Sequence, residues 1–210
     1  MKVIVACEFS GIVRDAFAAR GHDAWSCDLL PSERPGNHIQ GDVRQYVRRP
    51  QGWDLMIAFP PCTHLAVSGA RWFEEKKVEQ EEALEFFAWF INGPAPKIAI
   101  ENPVGIVSTR IRRPTQIVHP WWFGHKEMKS TCLWLYGGLP TLKPTNMVGP
   151  PPKDKEEKKS WEKVHRAAPG PDRWKVRSRT YQGFADAMAE QWGALHYSAD
   201  HSYTARGEER

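Results

Sequence analysis

Long apolar runs and paired cysteines are both missing from this chain of 210 residues. No apolar run approaches the roughly 20 residues needed to span a bilayer, and the opening stretch turns acidic at Glu8, too early for a signal peptide. The four cysteines form no CxxC pair, and the eight histidines show no HxxxH or HxH spacing. We therefore expect a cytoplasmic protein with free thiols, no membrane contact and no metal.

The composition is that of an ordinary globular chain, with 41% hydrophobic and 26% charged residues. This length allows one well-buried α/β core but not two ample domains. The net charge of +4 is unevenly placed, because residues 141–180 carry eleven Lys and Arg against five Asp and Glu. Such a segment suits either phosphate binding or a solvated loop, and composition does not separate these two interpretations.

Short apolar runs rich in β-forming residues alternate with segments of helical periodicity. This alternation predicts a doubly wound, mostly parallel α/β sheet. The predicted strands are Val3–Ala6, Ala24–Asp28, Trp53–Phe59, Lys97–Ile100 and Thr131–Leu135, and the predicted helices lie at about 13–20, 74–91 and 184–191. Residues 140–172, with seven prolines, predict a long loop or small insertion.

Three of the predicted strand ends carry residues suited to a nucleoside ligand. The turn Glu8-Phe9-Ser10-Gly11 follows the first strand, Asp28 closes the second, and Asp42 comes in a Gly-Asp-Val triplet. A Ser-Gly turn lets backbone N–H groups approach a ligand, Phe9 can stack on a purine, and Asp28 can accept both ribose hydroxyls. The glycine fingerprint for a dinucleotide pyrophosphate is absent, which favours a nucleoside without a diphosphate, such as S-adenosylmethionine.

Two further strand ends carry a thiol and a carboxyl group. Cys62 follows Pro60 and Pro61, at the edge of the sheet where a thiolate can act as a nucleophile. Glu101 ends its own strand, before an Asn-Pro pair that forces an extended backbone, and can protonate a ring nitrogen. The other three cysteines are predicted to be small buried hydrophobic side chains.

Together these motifs resemble the DNA cytosine-5 methyltransferase family over about residues 1–105. The segment Cys7–Gly11 is similar to that family's first cofactor motif, and Gly41-Asp42-Val43 resembles its Gly-Asp-Ile motif. Pro60-Pro61-Cys62 resembles its Pro-Cys motif, and Glu101-Asn102-Pro103 resembles Glu-Asn-Val. The separations agree as well, with 19, 14, 20 and 39 residues between Phe9, Asp28, Asp42, Cys62 and Glu101.

The resemblance implies a Rossmann-like methyltransferase fold and methyl transfer from S-adenosylmethionine to C5 of cytosine in DNA. Cys62 would add to C6 of a base that is flipped from the duplex or single-stranded, while Glu101 holds N3 protonated. Arg112, in the Arg-x-Arg of residues 110–112, would serve as a catalytic clamp. The implied cofactor-binding residues are Glu8, Phe9, Ser10, Gly11, Asp28, Asp42 and Pro61.

The large target-recognition domain of that family is absent, and only the basic segment could replace it. We expect a catalytic and cofactor-binding domain over 1–139, a basic Pro-rich insertion over 140–180, a returning helix over 181–196 and a polar tail over 197–210. The predicted nucleic-acid contacts are Arg110, Lys153, Lys155, Arg173, Lys175, Arg177 and Arg179. Trp121, Trp122 and Trp134 offer a stacking platform or, as tryptophans more often do, core packing.

Other functions stay open at this point. The same covalent chemistry could act on RNA, on a free pyrimidine nucleotide, or with a transferred group other than methyl. A catalytically inactive fold that binds nucleic acid is a second class, although both Cys62 and Glu101 are present in their motifs. A nicotinamide-dependent oxidoreductase is disfavoured by the missing glycine fingerprint. The oligomeric state does not follow from the sequence.

Overall fold

A seven-stranded sheet organises the molecule in the computed structural model, which describes residues 1–47, 52–67, 76–164 and 166–195. The strand order is β3-β2-β1-β4-β5-β7-β6, and the order reverses between β1 and β4. The strands are β1 Lys2–Ala6, β2 Asp23–Asp28, β3 His38–Gln40, β4 Leu55–Ala58, β5 Lys97–Pro103, β6 Gln116–Val118 and β7 Thr131–Tyr136. Ligands of doubly wound sheets bind in the crevice at such a reversal, outside the carboxyl ends of the strands.

Two buried clusters cover the two faces of the sheet. Alternate residues of β1 divide between them, since Val3 and Val5 face one cluster while Ile4 and Ala6 face the other. Helices α1 and α7 cover the first face, and α3 covers the second. The helices are α1 Ile12–Ala18, α2 Val43–Tyr46, α3 Lys77–Ile91, α4 Val107–Arg110, α5 Lys155–Lys159, α6 Arg173–Ser178 and α7 Gln182–Gly193.

The doubly wound α/β fold predicted from the sequence is confirmed, with one strand reversed. β7 pairs antiparallel with both β5 and β6, whereas the remaining pairs are parallel. The short strands β3 and β6 were not expected, because three residues each give no readable periodicity. The expected start of the long helix at 74 and the polar tail at 197–210 lie outside the described residues.

None of the helices described in the structure combines the length and the apolar character required to cross a membrane.

Candidate active site at the carboxyl ends of the strands

The loop after β1 folds back on the start of α1. The Glu8 carboxylate accepts hydrogen bonds from the backbone N–H groups of Val13 at 2.6 Å and Arg14 at 3.3 Å, and from the Ser10 hydroxyl at 3.2 Å. Burial raises the pKa of Glu8 to about 7, while these hydrogen bonds act in the opposite direction. Glu8 and Ser10 were predicted to bind a cofactor; here their side chains are buried and cap the helix, so any ligand contact would come from their backbone.

Arg14 holds the segment after β2 against this loop. Its side chain is almost fully buried and donates hydrogen bonds to Ser26 and Ser32 and to the carbonyl oxygens of Arg34 and Pro35. Gly11 lies beside it with φ at +71°. A side chain at this position would meet the Arg14 guanidinium at 2.5 Å, so the Ser-Gly turn depends on the absence of a Cβ.

Asp28 and Asp42 lie close to each other at this edge of the sheet. Both carboxylates interact electrostatically with the Cys7 thiol, and burial of Cys7 raises its pKa well above the ordinary value. Asp28 accepts a hydrogen bond from the backbone of Leu30. Asp42 is the N-cap of α2 and forms an ion pair with Arg44 at 2.7 Å, which lowers the pKa of Asp42. The structure thus places these two predicted residues together. The Asp42 carboxylate is paired with Arg44, whereas no lysine or arginine of the described residues pairs with Asp28.

Cys62 follows β4, and Glu101 lies near the carboxyl end of β5, which pairs in parallel with β4. The amide of Asn102 donates to the Pro60 carbonyl oxygen at 2.8 Å, which ties the end of β5 to the Pro-Pro-Cys turn. Further on, Ala66 bridges to Gly105, where an added Cβ would lie only 2.1 Å from a carbonyl oxygen. The missing side chain at Gly105 therefore lets the two loops approach, and Cys62 is held beside Glu101.

The thiol and the carboxyl group influence each other. Removal from water raises the pKa of the Cys62 thiol, and the Glu101 carboxylate raises it further. Lys129 and Arg177 act in the opposite direction and favour the thiolate. Burial also raises the pKa of Glu101, while Lys129 and a hydrogen bond from the Thr131 hydroxyl lower it. Protonated Glu101 beside a thiolate is the arrangement that acid-assisted addition to a ring requires.

Lys129 and Thr131 were missed by the sequence analysis, and Arg177 was predicted as a nucleic-acid contact but not as a neighbour of Cys62. Lys129 and Thr131 lie immediately before or at the start of β7, which returns antiparallel to β5, so Thr131 pairs with Pro103 and reaches Glu101. The Lys129 ammonium donates to the Arg177 carbonyl oxygen at 2.7 Å. The sequence predicts a strand at Thr131 but not the direction of that strand. Only an antiparallel strand brings Lys129 and Thr131 close to Glu101.

A small pocket adjoins the Glu101 carboxyl group. Its wall combines polar groups with aromatic rings and includes Lys129, Thr131, Ser178, Tyr181 and Phe184. The Tyr181 hydroxyl is buried without a hydrogen-bond partner among the described residues. A pocket with few converging polar groups and an apolar wall suits a planar heterocycle.

Residues 172–181, which we call the strap, cross this edge of the sheet. The strap contains α6 and runs into the start of α7 at Tyr181. The Trp174 ring contacts the Phe9 ring, with centroids 5.7 Å apart and planes inclined at 56°. Arg179 forms a two-point ion pair with Glu33, with the shorter contact at 2.7 Å. The second half of the predicted basic insertion is therefore part of the candidate site.

Arg112 is not brought to the Cys62–Glu101 pair. Its guanidinium lies 5.3 Å from the centre of the Tyr136 ring, and Tyr136 pairs with Ile98 near the start of β5. Glu101 is near the other end of the same strand, so the predicted clamp lies toward the opposite edge of the sheet. Arg110 comes only nine residues after Glu101, and the chain turns through α4 in this stretch instead of returning to the site.

The remaining predicted nucleic-acid contacts divide into paired and exposed side chains. Arg110 forms an ion pair with Glu81 at 2.5 Å, and Lys175 forms one with Asp172 at 3.1 Å. Arg173 donates to the Ala167 carbonyl oxygen. Lys153 and Lys155 are exposed near the start of α5.

The three tryptophans considered as a stacking platform do not form one. Trp134 is fully buried and contacts Phe87 edge to face at 5.0 Å between ring centroids. Trp121 and Trp122 lie together with His119 in a 3₁₀ turn, both half-buried. Packing explains Trp134, and the other two form a local aromatic group.

Comparison with solved structures finds a distant similarity to the 16S rRNA methylase RmtB. The sequences are 13% identical, the TM-score is 0.33, and the match covers 63% of this chain and 54% of that one. The chain thus matches about half the length of that methylase. No protein-family model and no curated protein matches the chain. The sheet order and its reversed strand β7 define the class of fold, which is Rossmann-like and of the methyltransferase type.

Proposed function

We propose that this protein is an S-adenosylmethionine-dependent methyltransferase that modifies C5 of cytosine in DNA through a covalent bond between Cys62 and C6. The observation that carries the proposal is the placement of Cys62 beside Glu101 at the carboxyl edge of the sheet, tied by the Asn102–Pro60 hydrogen bond. A nucleophile beside a proton donor that lines a small pocket suits addition to an electron-poor ring.

Two side chains take part in this reaction: Cys62 forms the covalent bond, and Glu101 transfers the proton. The Cys62 thiolate forms a bond to C6 while the Glu101 carboxyl gives its proton to N3, which makes C5 nucleophilic. After C5 takes up a methyl group, it loses its hydrogen as a proton to a base or to water. The C6–S bond then breaks, the electron pair returns to sulfur, and N3 returns its proton to Glu101. Lys129 and Arg177 stabilise the thiolate before addition.

The residues around β1 and β2 fit the cofactor. S-adenosylmethionine would supply the electrophilic methyl group and leave as S-adenosylhomocysteine. Phe9 offers an aromatic face for the adenine, and Asp28 has a carboxylate that no lysine or arginine of the described residues pairs with. Glu8 and Ser10 would act by shaping the turn at Gly11.

A free pyrimidine nucleotide is the second candidate substrate. Three of the seven basic residues predicted to contact nucleic acid, Arg110, Lys175 and Arg179, are engaged in ion pairs. The strap also crosses the edge where a flipped base would enter. A nucleotide with a single phosphate would need only the positive charge of Lys129 and Arg177.

Trapping with 5-fluorocytosine tests the proposal. Fluorine at C5 cannot leave as a cation, so the bond between Cys62 and C6 persists after methyl transfer. We expect the wild-type protein, with S-adenosylmethionine and DNA that contains 5-fluorocytosine, to give an adduct that survives denaturation. Mass spectrometry of the tryptic peptide should place the modification on Cys62.

Matched reactions identify which part of the proposal fails. Cys62→Ala should give no adduct, and unmodified DNA should give none with the wild type. No adduct with DNA, together with intact binding of S-adenosylhomocysteine, would contradict the DNA assignment. An adduct with fluorinated RNA or with 5-fluorodeoxycytidine monophosphate under the same conditions would then identify the second substrate.

A further inference from the structure

Trp174 lies on the ring to which the sequence assigns adenine stacking. Phe9 is only 8% exposed, and Trp174 is 49% exposed, so the strap covers Phe9 from the solvent side. The two ring centroids are 5.7 Å apart, within the range of direct aromatic contact. A purine stacked between two rings needs roughly 7 Å, twice the usual carbon contact distance. The rings must therefore separate before a purine can enter between them.

The strap is also connected to the loop after β1 through Glu33. Glu33 uses its backbone N–H to donate to the Phe9 carbonyl oxygen at 2.8 Å, and its carboxylate to bind Arg179. One residue thus connects Phe9 with the strap. On the other side, the Arg177 carbonyl oxygen accepts from Lys129, which acts on Glu101. The strap reaches from the predicted adenine position to the catalytic carboxyl group.

We propose that Trp174 is a cofactor-binding residue and forms the outer wall of the adenine site, opposite Phe9. This rests on the proposed function, because it takes the cofactor to be S-adenosylmethionine. Its indole ring moves outward to admit the purine, then stacks on the exposed face of that purine. The ion pair of Arg179 with Glu33 anchors the strap during this movement. A residue far along the sequence thereby completes a site otherwise built by the first strands.

Because Trp174 is already half-exposed, the outward movement of its ring costs little free energy. A half-exposed ring on a six-residue helix loses little buried area when it moves, and the stack on a purine replaces the contact with Phe9. Val176 lies on the same short helix with the same 49% exposure and has no ring. It therefore provides a matched control for any change caused by α6 itself.

Calorimetric titration with S-adenosylhomocysteine tests the proposal without any turnover. We expect Trp174→Ala to weaken binding about tenfold, the lower part of the range for loss of one stacked base. Trp174→Phe should retain most of the affinity, and Val176→Ala should bind as the wild type does. Adenosine alone should show the same dependence on Trp174, because the contact is with the purine.

The direction of the change separates the outcomes. Unchanged or tighter binding by Trp174→Ala would overturn the proposal, and tighter binding would show that the indole ring competes with the purine for Phe9. Equal weakening by Val176→Ala would also overturn it, since the effect would then belong to the helix. If the wild type binds no S-adenosylhomocysteine, the cofactor assigned under the proposed function is wrong, which is a different failure.

Discussion

Cys62 has a thiol whose reactivity is set by four neighbouring influences. Shielding from water and the Glu101 carboxylate raise its pKa, and the charges of Lys129 and Arg177 lower it. Because three of these influences come from single charged side chains, each of the three can be removed separately. The thiol therefore reports the electrostatic arrangement of the site even without a substrate.

Alkylation of Cys62 by iodoacetamide should follow this arrangement as the pH is varied. Glu101→Gln removes a negative charge, which lowers the pKa of Cys62 and shifts the alkylation profile to lower pH. Arg177→Gln removes a positive charge, which raises the pKa and shifts the profile to higher pH. Mass spectrometry of the Cys62 peptide measures the rate at each pH.

The other thiols provide the internal reference. Cys27 and Cys132 are buried, with raised pKa values, and should react slowly in every variant. Shifts of both profiles in the same direction would contradict the electrostatic explanation. So would an unchanged profile in Glu101→Gln.

Among the elements, the turn between β1 and α1 depends on a glycine in the left-handed conformation. Gly11 and Gly21 both have positive φ, at +71° and +79°. An added Cβ at Gly11 would meet the buried Arg14 guanidinium at 2.5 Å, whereas one at Gly21 would meet nothing within 4 Å. The two glycines share a backbone requirement and differ in their surroundings.

Alanine substitutions at Gly11 and Gly21 should separate the cost of the left-handed conformation from the cost of displacing Arg14. We expect Gly21→Ala to lower the free energy of unfolding by about 1–2 kcal/mol, the cost of a left-handed conformation for a residue with a Cβ. Gly11→Ala should lose at least about 1 kcal/mol more, because Arg14 must shift from its hydrogen bonds. Urea denaturation of both variants measures the difference. Equal losses would mean that Arg14 adapts without loss.

At the scale of elements, the sequence predicted which strands end in functional residues but not how later segments return. Asp28, Cys62 and Glu101 each follow an apolar run, so their common edge follows from a parallel sheet. The run at Thr131 predicts a strand of either direction, which is why Lys129 was overlooked. The strap has no hydrophobic periodicity, and only tertiary contacts such as Arg179 with Glu33 determine its place.

For the molecule as a whole, α7 closes the core that β1 begins. Its inward residues belong to the same buried cluster as Val3, Val5 and the apolar side of α1. Trp192 is fully buried, and its indole N–H donates to the Pro140 carbonyl oxygen at 2.9 Å. Distant parts of the chain therefore share one hydrophobic cluster.

Truncation of Trp192 should weaken the entire fold and not one local region. We expect Trp192→Ala to lower the free energy of unfolding by about 3–5 kcal/mol, the usual range for a large aromatic side chain in a core. Trp192→Phe retains much of the apolar volume and should lose less. Thermal unfolding followed by circular dichroism measures both. A local loss, with unfolding of α7 before the sheet in two transitions, would contradict this expectation.

The packing of α7 against α1 and β1 has a consequence for biosynthesis. A ribosome completes β1 first, yet the helix that shields one of its faces emerges only after more than 180 residues have been joined. During that interval the apolar side of α1 has no lasting cover. A nascent chain of this protein should therefore depend on chaperones until α7 leaves the exit tunnel, and premature termination should yield insoluble fragments.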